Sequence, residues 1–345
     1  MEQLLLRERI ILDSENIEKY ILGKSVLITG AAGSIGSELL KQLIAFDPAH
    51  LIAIDQNEYG IYTLKSHYAP HSNVTLQLAD ITDGERMQAI FNEFRPDLIF
   101  HAAAYKHVSL LEELPDAAVR NNTIATRILA DLAIANRVEK FIFISTDKAV
   151  NPVSIMGISK RISELYLLSL NDKNPFTQFV ITRFGNVLGS SGSVVPIFLG
   201  CIEREEPVPV THPEASRYLM TVSEAAQLVL ESAAVGSGGD IMIFDMGEPV
   251  LILDLAHRLI GRFHHSKTGK VIGVRFIGLQ PGEKMHEELH HYYERMVCNH
   301  EGKMRVLKTD LVHLPKIFGE IQQLHNTLIK TTRPDQLKVI LRAIF

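Results

Sequence analysis

The chain reads as a doubly wound α/β fold, a parallel sheet with helices on both faces, followed by a smaller C-terminal substrate-binding lobe. Three observations predict it. Short apolar runs alternate with amphipathic helical stretches from residue 25 to about residue 183, as when crossover helices join parallel strands. The first run leads directly into Gly30-Ala31-Ala32-Gly33-Ser34-Ile35-Gly36, a glycine turn of the Rossmann type that opens a helix. After residue 183 the alternation becomes irregular, and Pro196, Pro207, Pro209 and Pro213 cut the chain into short elements, consistent with a second lobe closing over the first.

Residues 1–24 mix a leucine patch with charges and end in Leu22-Gly23-Lys24, a short helical lead-in. The Rossmann-type unit is expected over 25–183, with 222–260 returning to it; 184–221 and 261–345 are expected to form the smaller lobe. Ser25–Thr29 is the first strand. Gly30 permits the tight turn, Gly33 lets backbone N–H groups approach a pyrophosphate, and Gly36 lets the helix starting at Ser34 and Ile35 pack closely. The second strand, Leu51–Ile54, ends in Asp55, 19 residues after Gly36, where a carboxylate accepts hydrogen bonds from an adenosine ribose. That acid favours NAD over NADP, because a 2'-phosphate would be repelled. A third strand over 75–79 ends in Asp80-Ile81, a contact for adenine. Leu98-Ile99-Phe100-His101 is the fourth, and the small residues Ala102, Ala103 and Ala104 let backbone lie against the cofactor. Lys106 then places a cation at the pocket edge. A long helix from about Asp116 to Arg137 carries Asn121 and Asn122, of which one is expected to hydrogen-bond near the active strand and Asn121 to contact the cofactor.

Phe141–Lys160, FIFISTDKAVNPVSIMGISK, ends a strand in Ser145, Thr146, Asp147 and Lys148, where α/β proteins deliver chemistry. Met156 and Lys160 are four apart and share a helix face. A strand at 178–182 leads to Arg183-Phe184-Gly185-Asn186. Val222–Ala234 is a helix, Ile241–Phe244 a strand returning to the sheet, Leu253–Ile260 a helix, and Val271–Ile277 a strand. Gly278-Leu279-Gln280-Pro281-Gly282-Glu283-Lys284 is a rigid loop bearing an acid and a base, and 299–345 reads as helices and turns outside the small lobe.

Composition narrows the function. A formal charge of -5 and 22% charged residues exclude a general nucleic-acid surface but leave room for a local phosphate pocket. Cys201 and Cys298 are the two cysteines, too few for a disulfide framework, and they fit a reducing compartment. Apolar runs are too short for a membrane span, and the N-terminus lacks a signal-peptide core, so a cytoplasmic protein is expected. The 15 histidines, His264 and His265 included, follow no metal-ligand spacing. No metal is expected.

On these motifs the chain resembles the extended short-chain dehydrogenase/reductases, and within them the nucleotide-diphospho-N-acetylglucosamine 4,6-dehydratases of polysaccharide and glycan biosynthesis. The marks are GAAGSIGSEL, HAAAYKHV, AVRNN, ISTDKAVNP, MGISKR, RFGNVLGSSGSVVP, HPEASRYLMT, DMGEP and GLQPGEK, in that order over residues 5–295. M-x-x-x-K stands where the superfamily carries Y-x-x-x-K, and this resembles the subgroup that retains configuration at C5, whose better-known members carry a membrane-spanning region that this chain is expected to lack. Ser109, Leu111 and Gln280 depart from the usual proline, methionine and arginine. The arginine's loss leaves the nucleotide open between UDP and GDP.

The resemblance implies oxidation of the sugar at C4, elimination of water across C5 and C6, and return of the hydride to C6, with NAD as cofactor. It implies Lys148 as base at C5, which needs a neutral amine and so a pKa lowered by the pocket and by nearby Lys160 or cofactor. Asp147 is then the acid for the C6 hydroxyl. Met156 has no exchangeable proton, so Thr146, or a water on it, is expected to relay the 4-hydroxyl proton, with Lys160 orienting the nicotinamide ribose and Ser145 near the cofactor. Asn186, Lys106, Arg217, Glu283 and Lys284 are the expected sugar or diphosphate contacts. A homodimer or larger homo-oligomer is the family habit. The alternatives are a nucleotide-sugar 4-epimerase or reductase of the same fold, and a non-catalytic NAD-binding protein.

Overall fold

A computed structural model describes residues 14–171, 174–263, 271–300, 303–309, 319, 321–324, 326–327 and 334–344. His264 and His265 lie outside the described residues. The first strands are β1 (Ser25–Thr29), β2 (His50–Asp55), β3 (Val74–Leu78), β4 (Leu98–His101), β5 (Lys140–Thr146) and β6 (Gln178–Phe184). After them come β7 (Asn186–Leu188), β8 (Val208–Val210), β9 (Ser216–Arg217), β10 (Leu219–Thr221), β11 (Ile241–Phe244), β12 (Val250–Leu251), β13 (Val274–Phe276), β14 (Glu294–His300) and β15 (Met304–Thr309). The central sheet runs β14-β15-β11-β6-β5-β4-β1-β2-β3. It is parallel from β11 to β3, with β15 and β14 added antiparallel at one edge. Strand order reverses between β1 and β4, and their carboxyl ends therefore open the crevice in which such sheets bind ligands.

The helices are α1 (Ser14–Ile21), α2 (Ser34–Leu43), α3 (Glu58–Tyr68), α4 (Gly84–Phe94), α5 (Val108–Glu113), α6 (Pro115–Ala118), α7 (Ala125–Ala135), α8 (Ile155–Asn171), α9 (Val194–Glu203), α10 (Val222–Val235), α11 (Ile252–Phe263) and α12 (Pro334–Arg342). Side-chain caps fix several starts. Asn57 accepts from Gly60 N, Asp83 accepts from Arg86 N, and Thr221 with Glu224 forms a capping box on α10.

Strand residues alternate between two cores, as their period of two requires. Leu27, Ile52, Ile54, Phe141 and Phe143 face Ile90, Leu129, Ile162, Leu337 and Leu341. Val26, Ile28, Leu51, Ala53 and Ile142 face Ile17, Ile21, Leu39, Leu40, Leu43, Leu228 and Val229. Leu188, Val195, Phe198, Val208, Val210, Leu255 and Leu259 form a separate third cluster.

Three features differ from the sequence expectation. Residues 304–309 are strand β15, and with β14 they extend the central sheet instead of lying outside a small lobe as helix and turn. Met304, Val306 and Leu307 alternate onto the two cores, a pattern six residues long that is easily lost among its charged neighbours. Helix α11, assigned to the stretch returning to the sheet, packs in the third cluster. The single helix expected over 116–137 is α6, then a π-helical stretch at Val119–Ile124, then α7. Such a widened turn re-aims side chains, and here it buries Asn121 and Asn122.

Candidate active site

At the switch point, Gly30 has φ +69°, and a Cβ there would lie 2.6 Å from Ala103 N and 2.8 Å from Ala102 C. Any side chain would drive β1 and β4 apart, so the glycine turn lies bare against Ala102–Ala103 with Ala104 following. Asp55 at the end of β2 accepts from Ala32 N at 2.9 Å through Oδ2 and from Asn57 N at 2.9 Å through Oδ1. The carboxylate thus braces the glycine turn while keeping lone pairs for further donors. Ser34 Oγ accepts from Ser191 N at 3.1 Å, which ties the loop after β7 to the start of α2, and Ile35 packs on the adjacent core. Gly33 and Gly36 stand at that helix start. Asp80 is exposed after β3 and accepts from Thr82 N, whereas Ile81 is buried in the core below. Bare backbone, a helix N-terminus and a strand-end carboxylate together suit a dinucleotide.

Thr29 pairs with His101, and His101 with Phe143, across adjacent strands. Burial, and after it Lys160, lowers the His101 pKa well below the usual value. The neutral ring bridges Thr29 Oγ1 at 2.7 Å and Thr126 Oγ1 at 2.9 Å. Asn122 clamps the loop after β4: it accepts from Tyr105 N at 2.8 Å, and its amide donates to Tyr105 O and Ser159 Oγ, each at 3.0 Å. Asn121, the expected cofactor contact, is buried and donates to Asn122.

At the end of β5 the chain turns through Asp147–Ala149. Thr146 Oγ1 donates to Asp147 Oδ1 at 2.9 Å, and Lys148 Nζ donates to the same oxygen at 3.0 Å. Lys148 Nζ also donates to Asn186 Oδ1 at 3.0 Å and ion-pairs with Glu287 Oε1 at 3.3 Å. Three acceptors surround an ammonium that has three protons. Here the structure opposes the expected lowering of the Lys148 pKa. Burial does push it down, but Asp147 and Glu287 outweigh burial and the net direction is up. It is Lys160 whose pKa falls, to about 7, because burial exceeds the pull of Glu164. Its Nζ sits 3.7 Å from the Phe143 ring centroid. Met156, 4% exposed, belongs to the core beneath α8.

Ser145 was expected near the cofactor. Its hydroxyl instead donates to Glu164 Oε1 at 2.6 Å. Glu164 belongs to a buried quartet with Arg161, Arg183 and Glu294: Arg183 reaches Glu164 Oε1 and Glu294 Oε2 at 2.7 Å each, and Arg161 reaches Glu164 Oε2 at 2.8 Å. Burial alone would raise the Glu164 pKa, but the two guanidiniums, Arg183 foremost, bring it to about 2. The quartet sums to zero charge, the condition under which such burial is tolerable.

Of the expected substrate contacts, Asn186 does reach Lys148. Lys106 reaches Ser190 Oγ at 3.3 Å, across the loop that also touches Ser34. Arg217, Glu283 and Lys284 anchor a loop. Arg217 donates to Glu283 Oε1 at 2.7 Å and to the carbonyls of Ser216, Lys284 and Met285, while Lys284 Nζ donates to Val150 O at 2.8 Å. Sequence reasoning missed two participants. Glu287 rides on this loop far along the chain from Lys148, and no spacing rule could have linked them. Gly185 carries no signal of its own beyond its place in a motif; a Cβ there would lie 2.7 Å from Tyr218 O and 3.1 Å from Asp147 Oδ2, so the glycine makes room for the Asp147 carboxylate.

Comparison with known proteins agrees with this geometry. The chain is 46% identical over 293 residues to the capsular polysaccharide biosynthesis protein CapD of Staphylococcus aureus, covering 84% of this chain and 49% of CapD. It therefore spans about half the length of that relative. It is 34% identical over 269 residues to a UDP-N-acetylglucosamine 4,6-dehydratase (inverting) of Campylobacter jejuni, covering 76% of each. It is also 32% identical over 276 residues to a UDP-glucose 4-epimerase of Rickettsia bellii, covering 77% of each. Among solved structures, Pen from Bacillus thuringiensis superposes with a TM-score of 0.79 at 31% identity, covering 85% of this chain and 90% of that one. The pattern of polysaccharide biosynthesis proteins matches residues 26–309, nearly the whole of the sheet and site described above, and the chain belongs to that family.

Proposed function

We propose that the chain is an NAD-dependent 4,6-dehydratase of a nucleotide-diphospho-N-acetylglucosamine. The observation that carries this reading is the adjacent acid and amine at the end of β5, a buried Asp147 ion-paired at 3.0 Å with a half-buried Lys148, with a thioether in place of a phenol at Met156. Likeness to the Campylobacter dehydratase supports it.

Bound on the glycine turn, NAD supplies hydride acceptance from C4 and hydride return to C6. Asp55 would accept the adenosine ribose hydroxyls, and Lys160 would hold the nicotinamide ribose. A ketone at C4 acidifies the proton at C5, which Lys148 removes in its neutral form. Thr146, bonded to Asp147 Oδ1, relays the 4-hydroxyl proton to Asp147. Asp147 Oδ2 is buried without a hydrogen-bond partner among the described residues, ready to hold that proton and pass it to the departing C6 hydroxyl. An elimination needs these two carriers, whereas a 4-epimerase moves only the 4-hydroxyl proton and has no use for a second group beside C5.

Mass spectrometry after incubation with NAD and either UDP- or GDP-N-acetylglucosamine tests the reading and identifies the nucleotide. Loss of one water is expected; unchanged mass with a new sugar isomer would establish the epimerase instead. Lys148→Ala is expected to lose elimination while NAD and sugar binding persist. Proton NMR of the product formed in deuterated water reads the configuration at C5, for which retention is expected.

A further inference from the structure

The dehydratase reading leaves one difficulty: a lysine caged by three acceptors has no lone pair to offer the C5 proton. Its cage also shows where the surplus proton can go. Glu287 is 7% exposed, and its Oε1 lies 3.3 Å from Lys148 Nζ. Its second oxygen, Oε2, is buried with no hydrogen-bond partner among the described residues, as is Asp147 Oδ2 on the other side of the amine. Asp147, Lys148 and Glu287 together carry two carboxylates against one ammonium. Such a group leaves two orphaned acceptor oxygens in a buried site, where an acceptor without a donor is expensive.

The loop carrying Glu287 is built to hold it there. At one end Arg217 grips Glu283 and the carbonyls of Lys284 and Met285. At the other end Glu294 is gripped by Arg183 at 2.7 and 2.8 Å. Between them, His286 Nδ1 lies 2.9 Å from Ser216 Oγ, and His291 Nδ1 lies 3.0 Å from Asn151 Oδ1. This many anchors exceed what merely closing a surface loop requires.

We propose that Glu287 is the proton acceptor for Lys148, so that the base acting at C5 is the Lys148–Glu287 pair. Glu287 is a positioning residue in this scheme, and the inference rests on the dehydratase reading. When substrate fills the site and excludes water, the ion pair neutralises: an N–H bond of Lys148 breaks and an O–H bond forms on Glu287. The amine's freed lone pair then takes the C5 proton, leaving the C5 electron pair in the enolate conjugated with the C4 carbonyl. Asp147, charged by the 4-hydroxyl proton, gives that proton to the C6 oxygen, and the C6–O bond breaks with release of water. After hydride returns to C6, Lys148 returns its proton to C5 and recovers another from Glu287. Every proton is accounted for, and the triad ends as it began.

The test compares wild type, Glu287→Gln and Glu287→Asp with NAD and whichever of UDP- or GDP-N-acetylglucosamine wild type dehydrates, in deuterated water. Oxidation at C4 is followed in the first turnover by the nicotinamide absorbance, and deuterium at C5 by NMR. Glu287→Gln is expected to keep first-turnover oxidation within about threefold but to slow C5 exchange and dehydration about 100-fold at neutral pH, the scale of general-base catalysis. Its deficit should shrink as pH rises, because Lys148 then loses its proton directly to solvent, and Glu287→Asp should recover part of the rate. If Glu287 only held the loop or raised the amine's affinity for its proton, Glu287→Gln would run at or above the wild-type rate with no such pH rescue; that result overturns the proposal alone. Wild type that dehydrates neither sugar overturns the dehydratase reading and this inference together.

Discussion

Replacing Glu294 by Gln should destabilise the fold more than any surface change. Glu294 accepts from Arg183 NH1 and NH2 at 2.7 and 2.8 Å, from Arg161 NH1 at 3.4 Å and from His291 N at 2.9 Å. Both guanidiniums are at most 1% exposed. An amide keeps one acceptor oxygen and turns its NH2 group toward donors, so the quartet becomes a buried net cation with clashing N–H groups. Removing one partner of a buried ion pair costs about 3–5 kcal/mol, largely because the remaining charge is left uncompensated. Glu294→Gln should therefore lose about that much in urea unfolding at neutral pH. A charge-balanced double variant, Glu294→Gln with Arg161→Met, should lose less than the sum of its singles, by about 2 kcal/mol, since the groups share one network. A single variant within about 1 kcal/mol of wild type, or strict additivity, would refute the reasoning and make the quartet a solvated cluster.

Gly30→Ala should lose NAD binding in a fluorescence titration and also lower the unfolding midpoint, because its Cβ would strike the backbone of Ala103; unchanged affinity would remove the cofactor from this turn. Asp55→Ala should weaken NAD at least about tenfold, since it removes both a ribose acceptor and the brace on Ala32 N, and isothermal calorimetry would read it. The His291 pKa is lowered to about 4 by burial and then by Arg161. The unfolded chain therefore binds more protons than the folded chain between about pH 6.5 and 4. Stability should fall through that window, by about 1 kcal/mol between pH 7 and 5 after allowing for solvent screening. His291→Gln should lose less over the same interval.

The order of chemistry along the chain is legible in the sequence. A glycine turn after a strand, an acid ending the next strand and a polar cluster ending β5 are local signals, because strand-end position follows from apolar run length and turn residues. Asp55, Asp147 and Lys148 accordingly stand where they were expected. Other assignments failed for nonlocal reasons. Asn121 and Asn122 are equally polar on paper, and only the π-helical turn at 119–124 decides that Asn122 clamps Tyr105. Arg217, Glu283 and Lys284 look like phosphate ligands in a loop, but Arg217 pairs with Glu283 and Lys284 Nζ donates to Val150 O.

The protonation of the site was not in the sequence at all. The adjacency of Asp147 and Lys148 is a property of the chain and predicts that an acid and an amine share a place. Which of them holds the proton depends on the field of groups brought from elsewhere, and that field reversed the expected shift of Lys148 while moving the lowered pKa to Lys160. Electrostatic energy falls with distance through space and is indifferent to separation along the chain. The sequence by itself therefore determined the sheet, the glycine turn and the adjacency of Asp147 and Lys148 at the end of β5. Only the tertiary structure, by closing the 281–293 loop with Arg217 and Arg183, decided that Glu287 completes the pair.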